Sequence, residues 1–182
     1  MANLRLYGPN VRIGLASVYA FADWQNPTVA EFNARSSTNP HAQVFELSCA
    51  LDEDSTTFDL GESETDDSKS FCQVAGTSSP TSYNPEIVFS AFQSEVPWVV
   101  SDPATLNTAN LAKSLLAWRG VEYFAWMSVG KEPGALFTSG DRVKLARVAT
   151  DFGIDEIGSG DNAKLNQTFA SRGDVNWNFE LL

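Results

Sequence analysis

The segment VEYFAWMSV, Val121 to Val129, constrains the fold more than any other stretch of the chain. Side chains alternate across an extended strand, so Val121, Tyr123, Ala125 and Met127 share one face and Phe124 and Trp126 the other. Both faces are bulky and apolar. Such a strand needs cover on each side, from a second sheet, a helix or another subunit, and so belongs in the middle of a sheet.

Other segments supply its neighbours. QVFELSCAL alternates Phe45, Leu47, Cys49 and Leu51 with Val44, Glu46, Ser48 and Ala50, the period of a half-buried strand. DVNWNFELL sets Val175, Trp177, Phe179 and Leu181 against Asn176, Asn178 and Glu180. VRIGLASVYAF reads as a first strand with a glycine inside it, and KSFCQV, EIVFSAF and RVKLARVAT as three more. Clusters of Gly, Pro, Ser and Asn, such as STNPH and GKEPGALFTSGD, mark turns between them. Helical periodicity is confined to DPATLNTANLAKSLLAWRG. There Asp102 is the expected N-cap and Pro103 the first helical residue, Arg119 and Gly120 close the segment, and Leu111, Ala112, Leu115 and Leu116 form a stripe suited to covering a sheet. There is no internal repeat and no abrupt change of composition. The 182 residues therefore read as one domain, 1–182, mainly β: a β-sandwich or barrel with one packed α-helix and a long acidic inter-strand loop at about 52–70.

Charge is distributed unevenly. The net charge is −11, and residues 36–112 account for all of it, with twelve acids against Lys69 alone. A surface of that sign repels nucleic acid, because phosphate contacts require Lys and Arg. No apolar run approaches the length of a membrane span, and the opening MANLRLYGPNVRIG lacks the continuous apolar stretch of a signal peptide. The expectation is a soluble protein that stays in the compartment where it is made. Cys49 and Cys72, both in apolar, strand-like runs, read as buried free thiols or as one pair bonded across neighbouring strands.

Little in the chain points to catalytic or metal chemistry. His41 is the one histidine and lies in a proline-containing turn, and no nucleophile-elbow pattern surrounds any serine. Two cysteines and one histidine, scattered, do not make a zinc site. DEDSTTFDLGES opens like a calcium loop at Asp52 and Asp54, but Thr57 and Ser63 stand where glycine and glutamate are required. Acids in a polar loop lack the burial that raises a catalytic carboxyl's pKa. Trp98, Trp118, Trp126 and Trp177 stand in or beside apolar segments and read as core residues. The chain is expected not to be an enzyme and to need no cofactor and no metal. A β-sandwich binding module for carbohydrate or calcium is the alternative.

The run FELSCALDEDSTTFDLGESETDDSKSFCQVAGTSSPTSYNPEIVFSAF resembles the middle of the major tail proteins of long-tailed bacteriophages, particularly actinobacteriophages. The opening NVRIGLASVYAFADWQNPTVAEFNA and the late segments GDRVKLARVATDFGID and FASRGDVNWN resemble the same family. The order and spacing of several segments carry the resemblance. It implies a fold related to type VI secretion tube proteins and a structural virion protein of a siphovirus tail, with no catalytic residues. By the same resemblance, subunits would form rings, hexameric as in the family, stacked into a hollow tube for DNA ejection. The implied partners are further copies of the chain, the tape-measure, tail terminator and tail-assembly chaperone proteins, and DNA passing without specific binding. No membrane is involved; assembly would take place in the host cytoplasm.

That implication gives the acids two roles. Glu46 and Glu86 are candidates for the polar lining of the lumen, or else lie on an exposed outer face. Asp52, Glu53, Asp54, Glu62, Glu64, Asp66 and Asp67 are candidates for an inter-ring contact, with Arg142, Lys144 and Arg147 of the adjacent subunit as basic partners; a loop on the outer tube surface is the other reading.

Overall fold

The structure is a computed structural model that describes residues 10–60, 65–66, 79–80, 85–95, 107–156 and 163–182. In chain order the elements are β1 (Val11–Ser17), α1 (Val29–Asn33), β2 (Val44–Glu46), a 3-10 turn (Ser48–Ala50), β3 (Thr57–Leu60), β4 (Thr65–Asp66), β5 (Ser79–Pro80), β6 (Pro85–Phe92), α2 (Thr108–Leu116), β7 (Glu122–Val129), β8 (Arg142–Thr150), β9 (Ile154–Glu156) and β10 (Lys164–Glu180). The protein is mainly β. Eight strands form one antiparallel sheet in the order β2-β1-β7-β8-β10-β6-β3, with β9 also on β10, while β4 and β5 pair separately.

β10 joins the two halves of the sheet. Its first residues, Lys164–Thr168, pair with β6, and Phe169–Glu180 pair with β8. Laid flat, β1 and β3 would stand five strand spacings apart, about 24 Å. Instead Val11 and Ile13 of β1 line the same groove as Phe58 of β3. The sheet therefore curls over itself as a sandwich. Its inner core holds Leu15, Ala125 and Val148 from one half and Phe58, Ile87, Phe89 and Leu165 from the other. Leu111, Ala112 and Leu116 of α2 close it.

β7 lies between β1 and β8, as its two apolar faces require. Ala125, Tyr123 and Met127 meet the inner core. Phe124 and Trp126 meet a second, outer core on the opposite face, with Phe21, Phe32, Phe137 and Leu145. Gly14 of β1 explains itself here: a Cβ would lie 1.9 Å from the Phe45 carbonyl oxygen and 2.7 Å from the Trp126 ring. Only a glycine leaves room here for both the β2 backbone and the indole.

Several expectations are corrected. There are two helices among the described residues. α1 was not foreseen; it is held by a capping box in which Thr28 Oγ1 accepts from the Glu31 N–H and Glu31 accepts from the Thr28 N–H at 2.7 Å. α2 begins at Thr108 with Asn107 as its N-cap, whose Oδ1 accepts from the Asn110 N–H at 2.8 Å; Asp102 and Pro103 fall outside the described residues. The QVFELSCAL alternation ends at Glu46, where the chain turns into the 3-10 turn, and Cys49 is an exposed free thiol. Cys72 and the KSFCQV segment lie outside the described residues. The stretch expected as a 52–70 loop contains β3, which pairs with β6. Trp118 is exposed. Finally, Val175 and Trp177 pack on the inner core but Phe179 and Leu181 on the outer one, because the β10–β8 register shifts between Asn176 and Phe179. A bulge reverses which face each later residue takes.

Candidate functional site

The charged residues expected to carry function fall in three places: a buried ion cluster under the β7–β8 loop, the outer face of β3 and β6, and the flank of β8.

Glu46 does not face an open surface. It is 5% exposed and accepts from Arg35 Nε at 2.5 Å, Arg12 Nε at 3.3 Å and the Gly134 N–H at 2.9 Å. Burial opposes its ionisation, but the Arg35 hydrogen bond, the Gly134 N–H and the Arg12 charge outweigh burial and hold it below the usual carboxylate range. Arg12 is fully buried, and desolvation lowers its pKa despite Glu46. Its guanidinium lies 3.7 Å from the Phe137 ring centroid. Arg35 also donates to the Ala135 carbonyl. One carboxylate thus ties β1, the α1 end and the β7–β8 loop together. This corrects the expectation of Glu46 as a lumen acid: residues on opposite sides of β2 are both buried, so the strand has no solvent face.

The outer face of β3 and β6 is polar and acidic. Glu86 is exposed on β6, directly opposite Asp59 of β3, which is exposed as well. On β10, Thr168 pairs with Val88 and is also exposed. The inward neighbours Ile87 and Phe89 fill the inner core, so strand alternation alone fixes this face outward. Asp59 was not singled out from the sequence; its pairing opposite Glu86 depends on a strand hidden in the acidic stretch.

The proposed basic partners do not form one patch. Arg142 pairs with Glu180 at 3.0 Å, and Lys144 stands 4.6 Å over the Trp177 ring on the inner-core side. Arg147 lies on the other face of β8 and binds Glu122 at 2.7 Å and Asp174 at 3.0 Å. Of the acids, Asp52 already accepts from Lys164 at 2.8 Å, which with Ser55 holds it below the usual range. Glu53 and Asp54 are exposed. Asp66 is in β4, with no side chain described, and Glu62, Glu64 and Asp67 fall outside the described residues. His41 is exposed in its turn. Among the described residues no three His, Cys, Asp or Glu side chains come together as metal donors.

A family model described as phage tail tube protein matches residues 9–178. The chain belongs to the phage tail tube protein family. Its role is structural, in the tube of a virion tail, and the family is not an enzyme class. Membership implies self-assembly into a tube. No curated protein matches the chain. Neither the family nor the described residues support a carbohydrate- or calcium-binding module.

Proposed function

We propose that this tail tube protein closes into rings, sixfold by resemblance, that stack into the hollow tube of a non-contractile siphovirus tail and conduct the genome during DNA ejection. The observation that carries the reading is the family match across residues 9–178, which spans every described strand but the last two residues of β10. The tape-measure, terminator and assembly chaperone proteins are its partners in this reading, and assembly takes place in the host cytoplasm.

The outer β3–β6 face is the lumen lining in this reading. Asp59 and Glu86 stand opposite each other there, and like charges repel phosphate as well as each other. A conduit must not retain its cargo, and DNA affinity depends on cationic contacts. Purified protein at high concentration is expected to show hollow, sixfold rings in negative-stain electron microscopy; solid filaments or rings of another order would remove the stoichiometry. Tubes carrying Asp59→Lys with Glu86→Lys are expected to hold DNA in a salt-sensitive manner. If they bind no more DNA than wild-type tubes, the lumen lies elsewhere.

A further inference from the structure

Large apolar side chains are exposed at both ends of the β7–β8 hairpin. At the end where β7 starts and β8 finishes, Trp118 is 69%, Phe152 66% and Ile154 68% exposed. At the end where the loop joins the two strands, Leu136 is 68% exposed. The two ends are about 25–30 Å apart along the strands. Isolated exposed apolar residues are ordinary, but a cluster held rigidly in water marks a contact surface.

Both ends are braced. Thr150, itself buried, donates from Oγ1 to the Trp118 carbonyl and accepts from the Val121 N–H at 3.0 Å; its own carbonyl accepts from the Gly120 N–H at 2.8 Å. Arg119 pairs with Asp151 at 3.0 Å and lies 4.7 Å from the Phe152 ring centroid. A Cβ on Gly153 would lie 2.8 Å from Leu165, so this turn is seated directly on the inner core. At the other end, the Gly134 N–H binds Glu46, Arg35 holds the Ala135 carbonyl, and Asn33 both accepts from the Phe137 N–H at 2.8 Å and donates to its carbonyl at 3.0 Å. Phe137 is pulled in, and Leu136 is thereby turned out. It stands at the rim of a cavity of about 410 Å³, with Pro133, Ser36 and Thr108 around it and Arg35 and Glu46 in its wall.

We propose that these two ends are the complementary halves of one contact: the Trp118–Phe152–Ile154 end of one copy seats on the Leu136 rim and its cavity in the next copy. The proposal rests on the tube-assembly reading above and names the surfaces that would propagate it. A second copy is the occupant because the family self-assembles and because one end projects large apolar side chains while the other offers an open cavity rimmed by Leu136 and Pro133. Arg35 and Glu46 in the cavity wall neutralise each other, so an apolar side chain meets no unpaired charge there. The two surfaces differ and lie at opposite ends of the same strands, so the contact is heterologous and repeats without closing, as axial stacking requires. The bracing means that little side-chain or loop freedom is lost on docking.

Two variants test this, Trp118→Ser with Phe152→Ser at one end and Leu136→Glu at the other. All three residues are exposed, so both proteins should keep the wild-type melting temperature. Each is expected to form rings but to fail to elongate, with the association constant between rings down at least about tenfold per lost anchor. Added to wild-type protein, either single-ended variant should shorten tubes by capping one end. A protein changed at both ends should leave wild-type tubes unaltered. Tubes of wild-type length from either variant alone would overturn the proposal while leaving the tube reading intact. Failure of the wild-type protein itself to form rings or tubes would instead overturn the reading beneath it.

Discussion

The two cores on either face of β7 are built by different means. The inner core is mainly apolar, with Leu111 and Leu116 of α2 in one cluster with Leu15, Ala125 and Phe89, and with the buried amide of Gln167 between Leu165 and Phe169 on the same face of β10. The outer core is aromatic and rests on charge. Phe32, Trp126 and Phe137 pack edge to face at 5.2–5.9 Å, and the Arg12–Glu46–Arg35 cluster sits beside them. An apolar core tolerates loss of a part in proportion to the volume removed. A buried ion cluster does not, because each partner neutralises the desolvation of another. The outer core is therefore the brittle side of the molecule, and it also braces the β7–β8 loop that presents Leu136.

The largest effect should follow Glu46→Ala. It leaves Arg12 and Arg35 buried without a counter-ion and should cost about 3–5 kcal/mol in urea unfolding. A cost near that of an exposed pair would show that water already reaches the cluster. The same residue gives the outer core a pH dependence that the inner core lacks. Glu46 is held below its unfolded value, so its contribution is complete above the ordinary carboxylate pKa, about 4.3, and is lost as pH falls through the depressed value. In Glu46→Gln the acid limb of stability against pH should flatten; an unchanged limb would place the acid sensitivity elsewhere, with Asp141 next in line.

Leu111→Ala, in the inner core, should cost about 3 kcal/mol at neutral pH and leave the shape of the acid limb intact. A changed limb would mean that the cores are coupled through β7. Smaller still is Thr28→Ala, which removes the α1 cap and should lower stability by about 1 kcal/mol. Because α1 carries Phe32 into the outer core, a much larger loss would show that the cap orients the aromatic cluster and not the helix alone. Arg142→Ala breaks only the exposed pair with Glu180 and should change stability by less than about 0.5 kcal/mol.

The inner core was far more legible than the outer one. β1, β6, β7 and β8 follow from alternation in VRIGLAS, EIVFSAF, VEYFAWMSV and RVKLARVAT, and the α2 stripe follows from Leu111, Leu115 and Leu116. These signals are local, and each repeats within one element. The outer core depends on pairings that no local pattern carries. Arg12 meets Glu46 across 34 positions, and Asn33 meets Phe137 across 104. α1 is five residues long, too short for helical periodicity; the Thr28–Glu31 capping box was its one readable signal. Glu46 was legible as a polar residue in an apolar strand, but nothing nearby in sequence shows that two arginines converge on it. β3 was masked by the acids around it, since Phe58 is its one fully inward residue. The Trp118 exposure was hidden for the opposite reason: it follows an apolar helix, and only the turn fixed by Thr150 carries it outward.

The most direct test of the account is cryo-electron microscopy of the purified protein at high concentration, with helical reconstruction of whatever polymer forms. Hollow tubes of stacked rings are expected, with the outer face of β3 and β6 toward the channel and the Trp118 end of each subunit against the Leu136 end of the next. A protein that stays monomeric at every concentration, or a filament without a channel, would contradict it.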